Sequence, residues 1–472
     1  PMPRPNLLFI MSDDHAAHAI SAYGSRVNRT PNIDRIADGG MRFDAAFCTN
    51  SICTPSRATI LTGTYPHVNG VTTLDTHLDN SLWTFPQALQ EAGYTTGIVG
   101  KWHLGHGPDH DPVGFDHWRI LPGQGHYDNP VMLEAGGTVV ERGGYVTDLI
   151  TDDSIAFLEE HADEPFALFC HHKASHRTWV PAPRHFTMFD DIDIPEPDTF
   201  RDGLAGHAEV IKAVKMSMMD LDPITDLKAT VPDGLTLDEE IEWRYQRYMK
   251  DYLRVVAAMD EGIGRLLDTL QDLGIADNTI VVYTSDQGFF LGDHGWFDKR
   301  LMYEESLAMP LVISYPDRVQ AGGTTDEIVL NVDFAPTLLE LMGVDAPDDL
   351  QGSSFAPILD GTTQDDWQQS MYYRYWMHRD SAHNTPAHYG VRTRTHKLIC
   401  YYNDPLGQLG AHGPIDPIEW ELFDLEADPL EQHNVIADPA YGEIRNELLA
   451  ELARLQADLG DSPYPGALDA LP

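Results

Sequence analysis

NLLFIMSDD, residues 6–14, decides the fold. From Asn6 to Ser12 the run is apolar nearly throughout and then stops at two aspartates, the pattern of a strand buried on both faces rather than one that alternates. Similar runs recur as YTTGIVG (94–100), PFALFCHH (165–172), TIVVYTSD (279–286) and PLVISYP (310–316). Helical patterns lie between them. PNIDRIADGG follows Thr30 with a proline at the first helical position and a glycine stop; SLWTFPQALQEAG (81–93) and the long stretch from Tyr248, YMKDYLRVVAAMDEGIGRLLDTLQDLG, carry apolar residues at helical spacing. Alternating strands and helices predict an α/β chain: a large, mostly parallel sheet flanked by helices.

The character changes after about residue 370. MYYRYW, HYGVRTRTHKLICYY and WELFDL predict short strands of a small antiparallel sheet, followed by a helix near 441–458. The expected division is a catalytic domain over 1–370 and a C-terminal subdomain of sheet plus helix over 371–472. Residues 184–240, rich in Pro and Asp, are expected to be an irregular excursion.

The 472 residues suffice for one large and one smaller unit, and the 42% apolar content furnishes both cores. The chain holds 74 acidic and 31 basic residues, a net charge of -43 spread along its length. Such an acidic surface argues against nucleic acid and anionic membrane as partners and suits high solubility or high salt. No apolar run approaches the ~18 residues that cross a membrane. PMPRPNLLFIMSDD leaves no room for a secretion signal, so the expectation is a cytoplasmic chain, or one whose signal was trimmed. Four cysteines (48, 53, 170, 400) are too few for a disulfide scaffold.

Ligands of open α/β sheets gather at the carboxyl ends of strands, and the polar residues there are coherent. Asp13 and Asp14 follow the first strand, Lys101 and His103 the second, His171, His172, Lys173 and His176 the third, and Asp286 and Gln287 the fourth, with Lys299 shortly after. Alone, Asp13-Asp14 is an ordinary polar turn. Paired with Asp286 and the Gln287 amide it makes an all-oxygen set, which hard cations, Ca²⁺ or Mg²⁺, prefer. Only eight residues are lysine, so Lys101 and Lys299 in such positions suggest an anionic substrate.

Cys53-Thr-Pro-Ser-Arg57 followed by ATILTG, the DD after the first strand, GKWHLG at 100–105 and TSDQG at 284–288 together resemble the type I, formylglycine-dependent sulfatases of the alkaline-phosphatase-like superfamily. The resemblance runs from the N-terminus through HYGVRTRTHKLI (388–399). It implies that a formylglycine-generating maturation enzyme oxidises Cys53 to an aldehyde, which hydrates to a diol. One hydroxyl attacks sulfur; loss of the proton of the other regenerates the aldehyde and expels sulfate. It further implies that Asp13, Asp14, Asp286, Gln287 and residue 53 hold the metal. Arg57 would fix the diol, Lys101 and Lys299 bind sulfate oxygens, His103 serve as base and His176 as acid to the leaving alcohol. Two departures stand out: Gln287 where many members carry Asn, and Ser175 where many carry proline.

Segments 289–313 and 372–393 are similar to carbohydrate sulfatases, especially those acting on 6-sulfated N-acetylglucosamine. Aromatic, His and Arg residues in the second suit a sugar ring, or equally the core of the small sheet. Arg374, His378 and His388 are the candidate substrate contacts there, and Gln124 and His126 in PGQGHYDNP are others. Three rival readings remain at this level: a phosphonate monoester or phosphodiester hydrolase of the same superfamily, a carbohydrate-binding relative without catalysis, and a hydrolase using Cys53 as thiolate.

Overall fold

The structure, a computed structural model, describes residues 4–472. Its main sheet has ten strands: Asn6–Ser12 (β1), Met41–Phe43 (β2), Thr95–Lys101 (β3), His117–Leu121 (β4), Val131–Glu134 (β5), Thr138–Glu141 (β6), Phe166–His171 (β7), Thr279–Ser285 (β8), Leu311–Ser314 (β9) and Gly323–Thr325 (β10). Their order across the sheet is β10-β2-β9-β8-β1-β7-β3-β4-β5-β6. The centre, β8-β1-β7-β3-β4, is parallel, with Phe9 of β1 opposite Val282 on one side and Phe169 on the other. The flanking pairs β9-β8, β9-β2, β4-β5 and β5-β6 are antiparallel, and β10 is parallel to β2.

The predicted strands form the centre because they are buried on both faces: every residue of β1, β7 and β8 is buried. The strands toward one edge, β4, β5 and β6, carry too little apolar pattern to announce themselves. Six helices matter for the site and its support: Pro31–Asp38 (α1), Cys53–Thr62 (α2), Phe85–Glu91 (α3), Val146–His161 (α4), Leu237–Asp272 (α5) and Gly442–Asp458 (α6). Helices α1, α4 and α5 pack their apolar residues with Leu8, Ile10 and Leu168 on one face of the sheet, while α2 and α3 join Leu7, Phe9 and Phe169 on the other. No helix among the described residues is long and apolar enough to cross a membrane.

Helix α5 starts eleven residues before the Tyr248 expected from periodicity. Thr236 caps it, accepting from the Glu239 amide at 3.3 Å while the Glu239 carboxylate accepts from the Thr236 amide at 2.7 Å. That reciprocal pair satisfies two orphan donors and fixes the start of the helix over a polar first turn.

A second sheet is antiparallel throughout, Ser370–Tyr375 (β11), His388–Thr393 (β12), His396–Tyr401 (β13) and Glu419–Asp424 (β14), in sequential order, with α6 packed on it. Tyr372, Tyr373, Leu398 and Leu422 of this sheet share one apolar cluster with Phe290, Leu301, Met302 and Tyr303. The small sheet is thereby wedged against the segment that carries Lys299.

Candidate active site

Helix α2 begins at Cys53 itself, behind an extended Ile52, and ends at Gly63, whose φ of 63° needs no Cβ. Pro55 sits in the first turn, where a missing N–H costs nothing. All ten residues of the helix are buried, so its positive end faces a water-poor site.

Around Cys53 the carboxyl ends of β1, β3, β7 and β8 deliver the polar groups as expected. The Cys53 Sγ lies 3.4 Å from Asp13 Oδ1 and 3.6 Å from Lys299 Nζ. Lys101 Nζ donates to Asp13 Oδ2 and, at 2.5 Å, to Gln124 Oε1. Lys299 Nζ donates to Asp14 Oδ1 at 2.5 Å. Arg57 reaches Asp286 through Nε at 3.1 Å and donates to the Lys101 carbonyl at 3.2 Å. His103, at a left-handed φ of 55°, places Nδ1 3.2 Å from the Thr54 hydroxyl. His176 must carry a proton on Nδ1, which donates to the Arg177 carbonyl at 2.7 Å; its Nε2 lies 3.9 Å from Asp14 Oδ2.

Electrostatics sorts these groups. Burial alone would raise Asp13, but Lys101, His176 and Arg57 hold its carboxyl well below the usual range. Burial and the charges of Asp13 and Asp286 push Asp14 up, against Lys299; burial and Asp13 push Asp286 up. Burial, then Lys101 and Arg57, keep His103 neutral. Burial likewise lowers His176, with Asp13 opposing. The Cys53 thiol is pushed far up by burial and by Asp13, so it does not act as a thiolate.

The residues fit a divalent cation. Asp13, Asp14 and Asp286 offer oxygens within 4.8 Å of one another, all buried, and two of the three resist ionising without a further positive charge. Gln287 Oε1 is buried and accepts no hydrogen bond, while its amide nitrogen donates to Asp14. An orphaned carbonyl oxygen beside crowded carboxylates is what a cation satisfies.

Several neighbours were given no role by sequence reasoning. Ser175 Oγ donates to the carbonyl oxygens of Asp13 and Asp14, at 3.3 and 3.2 Å, which gives the departure from proline a role in holding the Asp13–Asp14 turn. Lys173, lowered to about 8 by burial and Lys101, donates to the Gln124 carbonyl at 3.0 Å and sits over the Tyr127 ring. Asp298 and Arg300 flank Lys299 and tie it to the small sheet: His383 bridges Asp298 at 3.0 Å and Asp380 at 2.7 Å, and Arg300 donates to Tyr375 at 3.0 Å. Only their adjacency to Lys299 in FDKR was a signal.

The candidate sugar contacts divide. Gln124 stands at the site on Lys101 and His126 is exposed on the same loop. Arg374, His378 and His388 are corrections: they belong to the interior of the small sheet and its loops. Arg374 is stacked 3.6 Å over Trp376 and paired to Asp461 at 2.8 Å. His378 is fully buried and its Nδ1 accepts from the Ala387 amide at 2.9 Å. His388 lies stacked on both Tyr373 and Tyr375, bound to the Pro386 carbonyl, its pKa lowered to about 4 by burial. The aromatic-His-Arg composition served a core.

A sulfatase family model matches residues 5–344, and a model of the N-sulphoglucosamine sulphohydrolase C-terminal region matches residues 292–458. An N-acetylglucosamine-6-O-sulfatase of Bacteroides thetaiotaomicron is 42% identical over 97% of this chain and 87% of its own length. The human N-acetylglucosamine-6-sulfatase is 28% identical over 79% of this chain and 67% of its own. A relative solved in complex with D-glucosamine-2-N,6-O-disulfate superposes with a TM-score of 0.91 at 42% identity, covering 97% of this chain and 98% of that one. The phosphonate monoester hydrolase of Agrobacterium radiobacter shares the fold, with a TM-score of 0.77 at 22% identity over 97% of this chain and 96% of that one. By these matches, and by the site they coincide with, the chain belongs to the sulfatase family and is a sulfuric ester hydrolase.

Proposed function

We propose that this chain removes the 6-O-sulfate of a glucosamine unit. The observation that carries the catalytic reading is the convergence on Cys53, at the start of α2, of Lys101 and three buried carboxylates from three strand ends with Arg57 of α2 and Lys299. The similarity to the Bacteroides and human enzymes and to the disulfate-bound relative supports the sugar. Residues 1–370 would form the catalytic domain and 371–472 the subdomain that braces Lys299.

Oxidised to an aldehyde by a maturation enzyme and hydrated to a diol, residue 53 would supply a hydroxyl as the nucleophile that its buried thiol is not. Asp13, Asp14, Asp286 and Gln287 Oε1 would hold a divalent cation, Ca²⁺ by its preference for oxygen donors, which when bound sets positive charge against the ester. The chain's own groups do the rest. Lys101 and Lys299 bind the sulfate oxygens on which charge grows in transfer, and the amides of the first turn of α2 add to them. Arg57 fixes residue 53 and Asp286 together. His103, neutral and oriented by Thr54, takes a proton from the hydrated residue 53, and His176, oriented by the Arg177 carbonyl, delivers one from Nε2 to the leaving alcohol as the imidazolium, the form that the Asp13 charge favours against burial. Gln124 orients Lys101 and, with His126, faces the sugar.

The test compares turnover of N-acetylglucosamine-6-sulfate with that of an aryl phosphonate, with Ca²⁺ supplied. The sulfate ester is expected to be preferred by orders of magnitude; preference for the phosphorus ester overturns the reading.

A further inference from the structure

Outside the active site, one cluster has the chemistry of a second metal centre. Asp202, His207 and His294 bring one ligand atom each within 4.8 Å of one another. Asp202 comes from the irregular segment, His207 five residues later, and His294 from the turn ahead of Lys299. Asp202 Oδ2 lies 3.4 Å from His207 Nε2 and 3.2 Å from His294 Nδ1. Two ligands bound to one tetrahedral ion at ~2.0–2.1 Å stand about 3.3 Å apart. Both separations match that edge.

The protons point the same way. Tyr303 donates its hydroxyl hydrogen to Glu421 Oε2 at 2.8 Å, so the 2.8 Å contact between His207 Nδ1 and that hydroxyl requires the hydrogen on Nδ1. In the neutral ring, His207 Nε2 then presents a lone pair to the Asp202 carboxylate. Two acceptors facing each other call for a positive charge between them, a second ring proton or a metal ion. His294 repeats the arrangement on its far side: Nε2 is buried, makes no hydrogen bond and lies 3.7 Å from Glu305 Oε2, itself buried without a partner. Metal-bound histidines characteristically turn their second nitrogen toward a carboxylate or another acceptor, as both rings do here.

We propose that Asp202, His207 and His294 bind a Zn²⁺-class ion, with a fourth position open toward the cavity of about 690 Å³ lined by Gly203, Leu204 and His294. Two imidazoles and one carboxylate suit zinc or cobalt rather than calcium. The site is structural. It ties residues 202–207 to the turn at Asp293–Gly295, where His294 holds a left-handed φ of 55°, and so steadies the hairpin ending in Asp298 and Lys299. It stands apart from the sulfatase reading, since none of its ligands touches Cys53 or the carboxylates of the active site.

The test titrates Co²⁺ into the full chain already saturated with Ca²⁺. One Co²⁺ per chain with the intense visible bands of a tetrahedral ion is expected, displaced by Zn²⁺, with a rise in Tm. Asp202→Asn and His207→Gln should each weaken uptake by about 100-fold or more and abolish the Tm rise. If His207→Gln is insoluble, Asp202→Asn at its partly exposed position decides alone. Wild-type chain that takes up no Co²⁺ or Zn²⁺, uptake with only weak octahedral bands, or uptake unchanged in Asp202→Asn overturns the proposal; in that case the cluster is a protonated histidine pair.

Discussion

Lys299 Nζ stands 3.6 Å from Cys53 Sγ, although 246 positions separate them. The same ammonium bonds Asp14, one of the three clustered carboxylates. The proposed nucleophile position, cation site and sulfate-binding charge therefore meet at one atom. Burial would lower Lys299, but Asp14 and its neighbours keep it protonated well beyond the ordinary lysine range, so it stays a charge at any working pH. Lys299→Ala is expected to cut kcat by about 100- to 1,000-fold, the cost of losing one preorganised partner of the transition state, with a smaller change in KM. Steady-state kinetics on a sugar sulfate checks it.

Removing a ligand should act through the cation. Ca²⁺ is expected to raise the Tm of the wild type, and Asp286→Asn, which also removes the shorter of the two ion pairs of Arg57, to abolish that rise and reduce sulfate release by at least about 100-fold. Thermal melts with and without chelator, before and after added Ca²⁺, measure this. A variant that kept both the Ca²⁺ response and full turnover would remove Asp286 from the site.

His176 is separable from the other groups by its dependence on the leaving group. An acid that protonates the departing oxygen matters for a poorly leaving sugar alcohol and hardly at all for a nitrophenolate. His176→Ala should lose about 100- to 10,000-fold on a glucosamine 6-sulfate but far less on an activated aryl sulfate. Equal losses on both would assign His176 a structural role.

Arg374 is expected to affect stability rather than substrate. Its guanidinium is stacked on Trp376 and paired to Asp461, so Arg374→Ala leaves that carboxylate uncompensated. The expected loss is about 3–5 kcal/mol of stability, with KM unchanged in the folded fraction. Denaturant unfolding read beside the kinetics separates the two.

His388 makes the fold sensitive to acid. Its pKa falls from 6.5 to about 4 through burial, so between those values the unfolded chain binds a proton that the folded chain refuses. Stability due to this group is complete above about pH 6.5 and declines as the pH falls toward 4, by about 1.4 kcal/mol for each pH unit crossed. His388→Phe, which keeps the stacking on Tyr373 and Tyr375, should show a flatter Tm between about pH 7 and 5 than the wild type.

What was legible in the sequence follows physical rules. Strands β1, β3, β7, β8 and β9 announced themselves because strands buried on both faces must be continuously apolar, and Asp13, Lys101, His103, His176 and Asp286 because parallel strands deliver their ends to one edge. Strands β4 to β6, toward one edge and partly exposed, carried no such pattern. The start of α5 was written in Thr236 and Glu239, a local cap that periodicity overlooks. Arg374 and His388 misled because stacked aromatics around a cation look alike whether they enclose a sugar or a core. The network of Asp298, Arg300, Asp380 and His383 joins residues some 80 positions apart, and no local pattern encodes such a pairing.

Residue 53 is proposed to work as a hydrated aldehyde held among Asp13, Lys101 and Lys299, never as a thiol. Peptide mass spectrometry gives the aldehyde fraction at residue 53, and sulfate release from N-acetylglucosamine-6-sulfate can be measured on the same preparations, made with varying amounts of a formylglycine-generating enzyme. Activity is expected to be proportional to the aldehyde fraction, with an intercept of zero. Full sulfate release from chain carrying only the cysteine thiol would contradict it.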